Sequence, residues 1–221
     1  MPDCSAYDID CVRCPRLAAH LGAVRRDYPQ YHARPVAPFG DEDPGLLIVG
    51  LAPGMHGANA SGRPFTGDYA GLLLYETLHK FGFANRPQSS RRDDGLVLTG
   101  CRITNAVKCL PPENKPTPAE IKACNPFLRV ELAALQPKAA VLALGTIAHQ
   151  SVLRALALPL KEYPFAHGAE HRLPDGRRLF DSYHCSRYNT QTKRLTEDMF
   201  HAVFARIGAR PAARPTPARR G

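Results

Sequence analysis

Residues 45–71 read GLLIVGLAPGMHGANASGRPFTGDYAG, an apolar run that leads into a long glycine-rich loop. The run, residues 45–51, shows no alternation of apolar and polar side chains, which is typical of a strand buried on both faces of a parallel sheet. The loop has too many glycines for a helix, yet it carries an aromatic ring and several polar side chains, among them Phe65, His56, Asn59, Arg63 and Asp68. This pattern predicts a ligand site at the carboxyl end of a buried strand.

Three further apolar runs occur along the chain, and each leads into a loop: residues 102–107, 139–145 and 178–184. Helical patterns separate or follow these runs. One of them begins with Thr117 as an N-cap, Pro118 at the first helical position and Glu120 three residues after the cap. Strands that alternate with helices indicate an α/β fold, so we predict a central parallel sheet of four strands.

The composition limits the domain organisation and the partners. A chain of 221 residues suffices for one domain with a substantial core, which we assign to residues 1–207. Residues 208–221 contain four Arg, three Pro and no acidic residue, so we predict a disordered basic tail. The net charge of +9 favours an anionic partner, although some soluble enzymes are simply basic.

No segment has the pattern of a signal peptide or a membrane span. The first residues are acidic and lack an apolar stretch, and the apolar run at 139–145 is too short to cross a bilayer. We therefore expect a cytoplasmic protein without membrane contact. In that compartment the seven cysteines favour metal binding or free thiols over disulfides.

Four of the cysteines have spacings that suit a shared metal site. Cys11 and Cys14 form a Cys-x-x-Cys motif, while Cys109 and Cys124 enclose a proline-rich loop of fourteen residues. Four thiolates bind either zinc or an iron–sulfur cluster, and the spacing does not decide between them. A disulfide is the alternative for Cys11 and Cys14, but no thioredoxin-like sequence surrounds them.

The predicted topology also brings distant polar residues together. The carboxyl ends of parallel strands meet at one edge of the sheet, so the loop after Leu51, Asn105 and His184 are expected to share one crevice. The alternative is that Asn105 caps a turn and that His184 has a structural role.

Three long motifs in the same order resemble those of the iron–sulfur uracil-DNA glycosylases: GLAPGMHGANASGRPFTGD (50–68), CLPPENKPTPAEIKAC (109–124) and YHCSRYNTQTKRLT (183–196). The general layout is similar to family 4, and the details are similar to family 5, the UDGb type. The resemblance spans the chain from Cys11 to about Ile207. It implies a three-layer α/β/α sandwich and a structural [4Fe–4S] cluster on Cys11, Cys14, Cys109 and Cys124. By spacing alone, zinc remains the alternative.

The chemistry of such an enzyme defines what the crevice must supply. A DNA glycosylase flips a nucleotide out of the DNA, and breaking the N-glycosidic bond leaves a cationic sugar and an anionic base. Asp68 is the carboxylate expected beside the sugar, and His184 is expected to donate a hydrogen bond to the leaving base. His56 is assigned either to positioning water or only to lining the loop.

Two further sets of residues are assigned to binding. The flipped base is expected to contact backbone N–H groups, an aromatic ring and an amide: Leu51, Ala52, Phe65 and Asn105. The segment after His184 is the DNA-contacting loop of the family, and five of its side chains suit phosphates: Arg187, Asn189, Thr190, Lys193 and Arg194. A solvated charged surface is the alternative for each of these five.

Three positions depart from the pattern of the related enzymes. Ala52 replaces a water-activating Asp or Asn, a loss that family 5 shares, so that catalysis depends on Asp68. Cys185 replaces the proline of the His-Pro-Ser motif, which is expected to loosen the loop and to add an oxidisable thiol near the site. Asn105 is expected to sharpen the preference for uracil over hypoxanthine and xanthine.

The sequence therefore predicts a monomeric, monofunctional glycosylase that removes uracil, and in a broader form other deaminated bases, from DNA in base-excision repair. A catalytically silent iron–sulfur protein that binds DNA is the alternative, and an electron-transfer protein is a third hypothesis. The intact Asp68 argues against the silent binder.

Overall fold

The computed structural model describes residues 7–208, and in this range the chain forms one mixed sheet of six strands. The spatial order is β1-β3-β2-β4-β6-β5. The strands are β1 (Phe39–Gly40), β2 (Leu46–Gly50), β3 (Cys101–Asn105), β4 (Ala140–Leu144), β5 (Glu170–Arg172) and β6 (Arg178–Ser182).

Helices cover both faces of this sheet. They are α1 (Pro15–Asp27), α2 (Ala58–Ser61), α3 (Tyr69–Lys80), α4 (Pro118–Ala133), α5 (Thr146–Ala155), α6 (Arg187–Gln191) and α7 (Glu197–Ile207). Short 3-10 turns occur at Pro112–Asn114 and Leu160–Glu162. As predicted, Thr117 caps α4, and its hydroxyl and the Glu120 carboxylate form a reciprocal capping box.

The buried strands explain the layered architecture. Along β2, the side chains of Leu46 and Ile48 pack in one apolar cluster with α3 and α7, whereas Leu47 and Val49 pack in another with α4 and α5. This alternation places one helical layer on each face, since successive strand residues point to opposite sides. The three-layer α/β/α sandwich is therefore confirmed.

The predicted number of strands was wrong. The four central strands β3, β2, β4 and β6 are parallel, as expected, but β1 and β5 add antiparallel edges to the sheet. Strands of two and three residues carry no detectable periodicity, and they are extended only because a longer neighbour pairs with them.

The order of the parallel strands creates a crevice at the carboxyl end of β2. The chain passes from β2 to β3 on one side and later to β4 on the other side, and ligand sites form where the direction of winding reverses. Gly50 and Asn105 are paired in register at this end of the sheet. The residues after β6 reach the same edge.

One sequence prediction concerns a part of the chain outside this range. The basic tail lies, apart from Gly208, outside the described residues. Within residues 7–208, none of the helices combines the length and the apolar character that a membrane span requires.

Candidate active site

A cavity of about 470 Å³ opens at the predicted crevice. Seven of the residues singled out from the sequence line it: Leu51, Ala52, Phe65, Asp68, Asn105, His184 and Arg187. Three further polar residues of the wall were not predicted from the sequence: Tyr69, Asn114 and Ser186. The distant strand ends therefore do converge on one cavity.

Asp68 is held by two glycines and one backbone N–H group. It occupies the N-cap position of α3, but its carboxylate does not cap that helix. Instead, Oδ2 accepts a hydrogen bond from the N–H of Ala58 at 3.0 Å. A Cβ atom at Gly54 would lie 2.6 Å from Oδ1, and one at Gly57 would overlap the carboxylate. Only glycine fits at these two positions.

The surroundings of Asp68 make its charged form costly. Burial raises the pKa of this carboxyl, and the hydrogen bond from Ala58 and the charge of His56 offset only part of that effect. A carboxylate held in this way is typical of functional sites, where groups are kept partly desolvated for chemistry.

Phe65 forms an aromatic wall in an unusual backbone conformation. Its φ is +56°, which bulky residues rarely adopt outside strained sites. Gly50 leaves room for the ring, since a Cβ there would lie 2.8 Å from it, and a Cβ at Gly71 would overlap the Phe65 carbonyl oxygen. The ring stacks with His184 at a centroid distance of 5.9 Å and an interplanar angle of 25°.

The conformation of Phe65 is supported by a buried arginine. Tyr75 donates a hydrogen bond from its hydroxyl to the Pro64 carbonyl at 2.6 Å. The guanidinium of Arg63 binds Thr66 in its own loop and four residues of the segment after α3: Ser89, Arg91, Arg92 and Asp94. The loop that carries Phe65 is therefore tied to two other parts of the chain.

Asn105 and His184 present polar atoms to the cavity. Asn105 is 3% exposed, and its Oδ1 finds no hydrogen-bond partner among the described residues. A buried unsatisfied polar atom is costly unless a ligand or water pairs with it. Burial lowers the pKa of His184 to about 4, so this imidazole is neutral at neutral pH.

His56 lies outside the cavity wall. It is exposed, and its Nδ1 shares a hydrogen bond of 2.8 Å with the hydroxyl of Tyr31. It also makes edge contacts with the rings of Tyr28 and Tyr31. His56 therefore contacts Tyr28 and Tyr31 and does not line the cavity.

The five predicted DNA-contacting residues differ in their placement. Arg187 lines the cavity, and its guanidinium lies 4.9 Å from the ring of Tyr69. Asn189 donates its amide to the His184 carbonyl, and the Thr190 hydroxyl binds backbone carbonyls of its own helix. Lys193 is exposed, with a φ of +57°, and the Arg194 guanidinium lies over the ring of Tyr183.

Cys185 does not present the oxidisable thiol that the sequence analysis expected. Its side chain is fully buried in the apolar cluster beneath α3 and α7. Burial raises the pKa of this thiol to about 12. A buried neutral thiol reacts slowly with oxidants, since the thiolate is the reactive form.

The four predicted metal ligands converge beside α1. Cys109 and Cys124 are buried in one apolar cluster, and Cys11 and Cys14 pack against it. Cys124 Sγ accepts a hydrogen bond from the backbone N–H of Lys108 at 3.3 Å. Burial and the charge of Cys124 raise the pKa values of Cys14 and Cys109 to about 11 and about 12, so these two thiols become thiolates at neutral pH only beside a bound cation.

The fold and the cavity define an α/β enzyme whose site combines one carboxylate with a wall for stacking a planar ring. The profile of the "Uracil DNA glycosylase superfamily" matches residues 37–208. The chain therefore belongs to the uracil DNA glycosylase superfamily.

Individual relatives place it within that superfamily. It is 49% identical over 200 residues to a type-5 uracil-DNA glycosylase of Thermus thermophilus, covering 88% of this chain and 90% of the relative. A type-5 enzyme of Pyrobaculum aerophilum is 42% identical, covering 91% of this chain and 89% of the relative. A type-4 enzyme of Archaeoglobus fulgidus is 36% identical, but the match covers only 54% of this chain and 52% of the relative. The predicted similarity to family 5 is thus confirmed.

We expect Asp68→Asn to stabilise the fold at neutral pH. A carboxyl whose folded-state pKa is raised destabilises the fold increasingly as pH rises from the unfolded-state pKa to the folded-state pKa, because the unfolded state releases its proton first, and the full cost remains at higher pH. Thermal midpoints of the wild type and Asp68→Asn should therefore differ in favour of the variant at pH ~7 and converge below pH ~4.

Asp94→Asn is the matched control with the opposite sign. Burial acts to raise the pKa of Asp94, but hydrogen bonds from Arg63 and from three backbone N–H groups outweigh it and hold this pKa well below its usual range. Asp94→Asn should therefore lower the midpoint at pH ~7, with the difference shrinking as the pH falls through the carboxyl pKa. Equal losses for both variants would contradict this account of Asp68.

Proposed function

We propose that this protein is a DNA glycosylase that hydrolyses the bond between uracil and deoxyribose in base-excision repair. The observation that carries the proposal is the Asp68 carboxylate, which is held by two glycines at the wall of a cavity that also holds a stacking ring. Relatives of nearly the same length are named uracil-DNA glycosylases, which supports the same activity.

The cavity suits a flipped base. Its volume lies within the range of small-molecule sites, and Phe65 supplies a flat apolar surface against which a base can stack. The unpartnered Oδ1 of Asn105 is an acceptor for the N3–H of uracil, while the amide nitrogen can donate to a neighbouring carbonyl oxygen. Leu51 and Ala52 line the same wall, and their backbone N–H groups are the proposed donors to the carbonyl oxygens of the base. Hypoxanthine and xanthine present the same N–H and carbonyl to the Asn105 amide, so the proposed preference for uracil rests on the larger size of these purines in the cavity.

Asp68 and His184 divide the chemistry between them. As the glycosidic bond breaks, positive charge develops on the sugar, and the Asp68 carboxylate stabilises it or orients the attacking water. The departing uracil takes the electron pair, and neutral His184 donates a hydrogen bond to its developing oxyanion. A charged imidazolium is not needed, because the donor only has to be fixed where the charge forms.

The reaction stops at base removal in this proposal. None of the described residues that line the cavity is a lysine. Lys108, three residues after Asn105, is buried, and its ammonium binds Glu131 at 2.8 Å and the carbonyl of Asn105 at 3.0 Å. It is therefore held away from a sugar in the cavity, and strand scission through a Schiff base is not expected.

DNA is the proposed partner, bound by a monomer working in the cytoplasm at the nucleoid. Arg187 at the mouth of the cavity and the exposed Lys193 are the two residues after His184 best placed for phosphates. Arg194 contributes its charge beside Tyr183. Asn189 and Thr190 shape the loop through backbone hydrogen bonds and contribute less to direct contact.

The proposed cofactor is a [4Fe–4S] cluster on Cys11, Cys14, Cys109 and Cys124. The four cysteines share one cleft beside α1. Four thiolates suit zinc as well as iron, and the resemblance to the iron–sulfur uracil-DNA glycosylases favours the polynuclear cluster. The cluster would anchor the 109–124 loop and with it Asn114 at the cavity.

Asp68→Asn should abolish most uracil release while DNA binding is retained. The substitution keeps the shape of the side chain but removes the charge that stabilises the developing cation, so we expect a loss of at least ~100-fold in kcat. Single-turnover excision and fluorescence-anisotropy titration with the same oligonucleotide measure the two properties separately. Turnover at the wild-type rate would show that the carboxylate has no catalytic role.

Cys109→Ser should lose the cluster, because an alcohol is a poor ligand for iron. Iron and acid-labile sulfide in the purified protein should fall sharply, and the thermal midpoint should fall with them. Cys101→Ala is the control, since Cys101 is also buried but lies in the apolar core beneath α3. Zinc in place of iron in the wild-type protein would contradict the cofactor assignment.

A further inference from the structure

Tyr31 and His56 form a hydrogen-bonded pair outside the cavity that the mechanism above does not use. The hydroxyl of Tyr31 lies 2.8 Å from Nδ1 of His56. Tyr28 stacks on Tyr31 with a centroid distance of 4.8 Å, and both rings make edge contacts with His56. The imidazole is therefore fixed by one hydrogen bond and two ring contacts, although it is exposed.

The segment that carries Tyr31 is docked on the glycine-rich loop that contains Asp68. The backbone N–H of His32 donates to the Ala60 carbonyl, and the N–H of Ala33 donates to the Asn59 carbonyl, each at 3.0 Å. Tyr28 and Tyr31 also pack against the apolar cluster that contains Cys109 and Cys124. Tyr31 is thus held in place on both sides, so its hydroxyl provides a fixed anchor for His56.

His56 immediately precedes the residues that hold Asp68. Gly57 makes the close approach to the carboxylate, and Ala58 donates the backbone hydrogen bond to it. The orientation of the turn at residues 55–57 therefore determines where both contacts lie. An anchor on His56 fixes this turn at its exposed end.

We propose that Tyr31 is a positioning residue for base excision, and that its hydroxyl holds His56 and the turn at residues 55–57 so that the Asp68 side chain is correctly placed. This inference rests on the proposed function of Asp68. Tyr31 does not contact the substrate in this proposal, and it acts only through His56.

The electrostatics agree with this role. The positive charge of His56 lowers the pKa of Asp68 and opposes the effect of burial. Among the described residues, His184, Tyr69 and Arg187 line the same cavity as Asp68, and Cys185 lies in the core close enough to sense its charge. His184 is neutral at neutral pH, and Cys185 stays neutral because burial raises its pKa to about 12. Removing the anchor should let His56 move away, so that Asp68 protonates at a higher pH. Activity that needs the carboxylate would then be lost first on the acid side.

The test compares Tyr31→Phe with Tyr28→Phe. Both variants keep an aromatic ring in the stack, but only Tyr31→Phe removes the hydroxyl bound to His56. We expect the acid limb of the kcat/KM profile for uracil excision to move up by about half a pH unit in Tyr31→Phe, which is about a threefold loss on that limb. Tyr28→Phe should leave the profile unchanged.

A second readout does not depend on activity. The Asp68 carboxyl carbon can be titrated by ¹³C NMR in both variants, and its pKa should rise in Tyr31→Phe alone. In a His56→Gln background, Tyr31→Phe should have no additional effect on either quantity, because the residue through which it acts is gone.

The outcomes separate the two claims. If uracil is released but the two Phe variants have the same pH profile and the same Asp68 titration, the role of Tyr31 is refuted and the function stands. If the Asp68 titration shifts in Tyr31→Phe alone, but neither the wild type nor either variant releases uracil, the positioning role stands and the proposed function fails.

Discussion

The close approach of Gly54 and Gly57 to the Asp68 carboxylate is the contact on which the site depends. Any side chain at Gly57 would overlap the carboxylate, and one at Gly54 would lie 2.6 Å from it. Because no side chain separates it from the loop, the carboxylate is partly desolvated and still accepts the N–H of Ala58. The long glycine-rich loop after β2 therefore positions the Asp68 carboxylate.

The fold places the other groups around this contact. The four parallel strands end at one edge, which brings Asn105 at the end of β3 and His184 after β6 to the cavity that contains Asp68. Phe65 reaches it only because Gly50 and Gly71 leave space for its ring and carbonyl. Strain of about 1–3 kcal/mol is typical of such a left-handed residue, and Arg63 and Tyr75 supply the hydrogen bonds that offset it.

Much of this arrangement could be predicted from the sequence, because buried parallel strands are continuous apolar runs and their carboxyl ends carry the ligand groups. The edge strands β1 and β5 could not, since their extended conformation comes from pairing with longer neighbours. Asn114, whose φ is +57°, reaches the cavity from a turn, and the pattern of apolar residues does not predict such a turn. The partnership of Tyr31 with His56 depends on tertiary docking across 25 positions of the chain. Neither the positions of the side chains of Asn189 and Thr190 nor the burial of Cys185 could be read from the sequence.

The most direct test of the central claim is the release of free uracil from an oligonucleotide that carries one uracil, either single-stranded or opposite each normal base. The account predicts stoichiometric free uracil, an abasic site at that position and strand cleavage only after alkali treatment. Tight binding of the same oligonucleotide without any abasic site would contradict it and would identify the protein as a catalytically silent DNA binder.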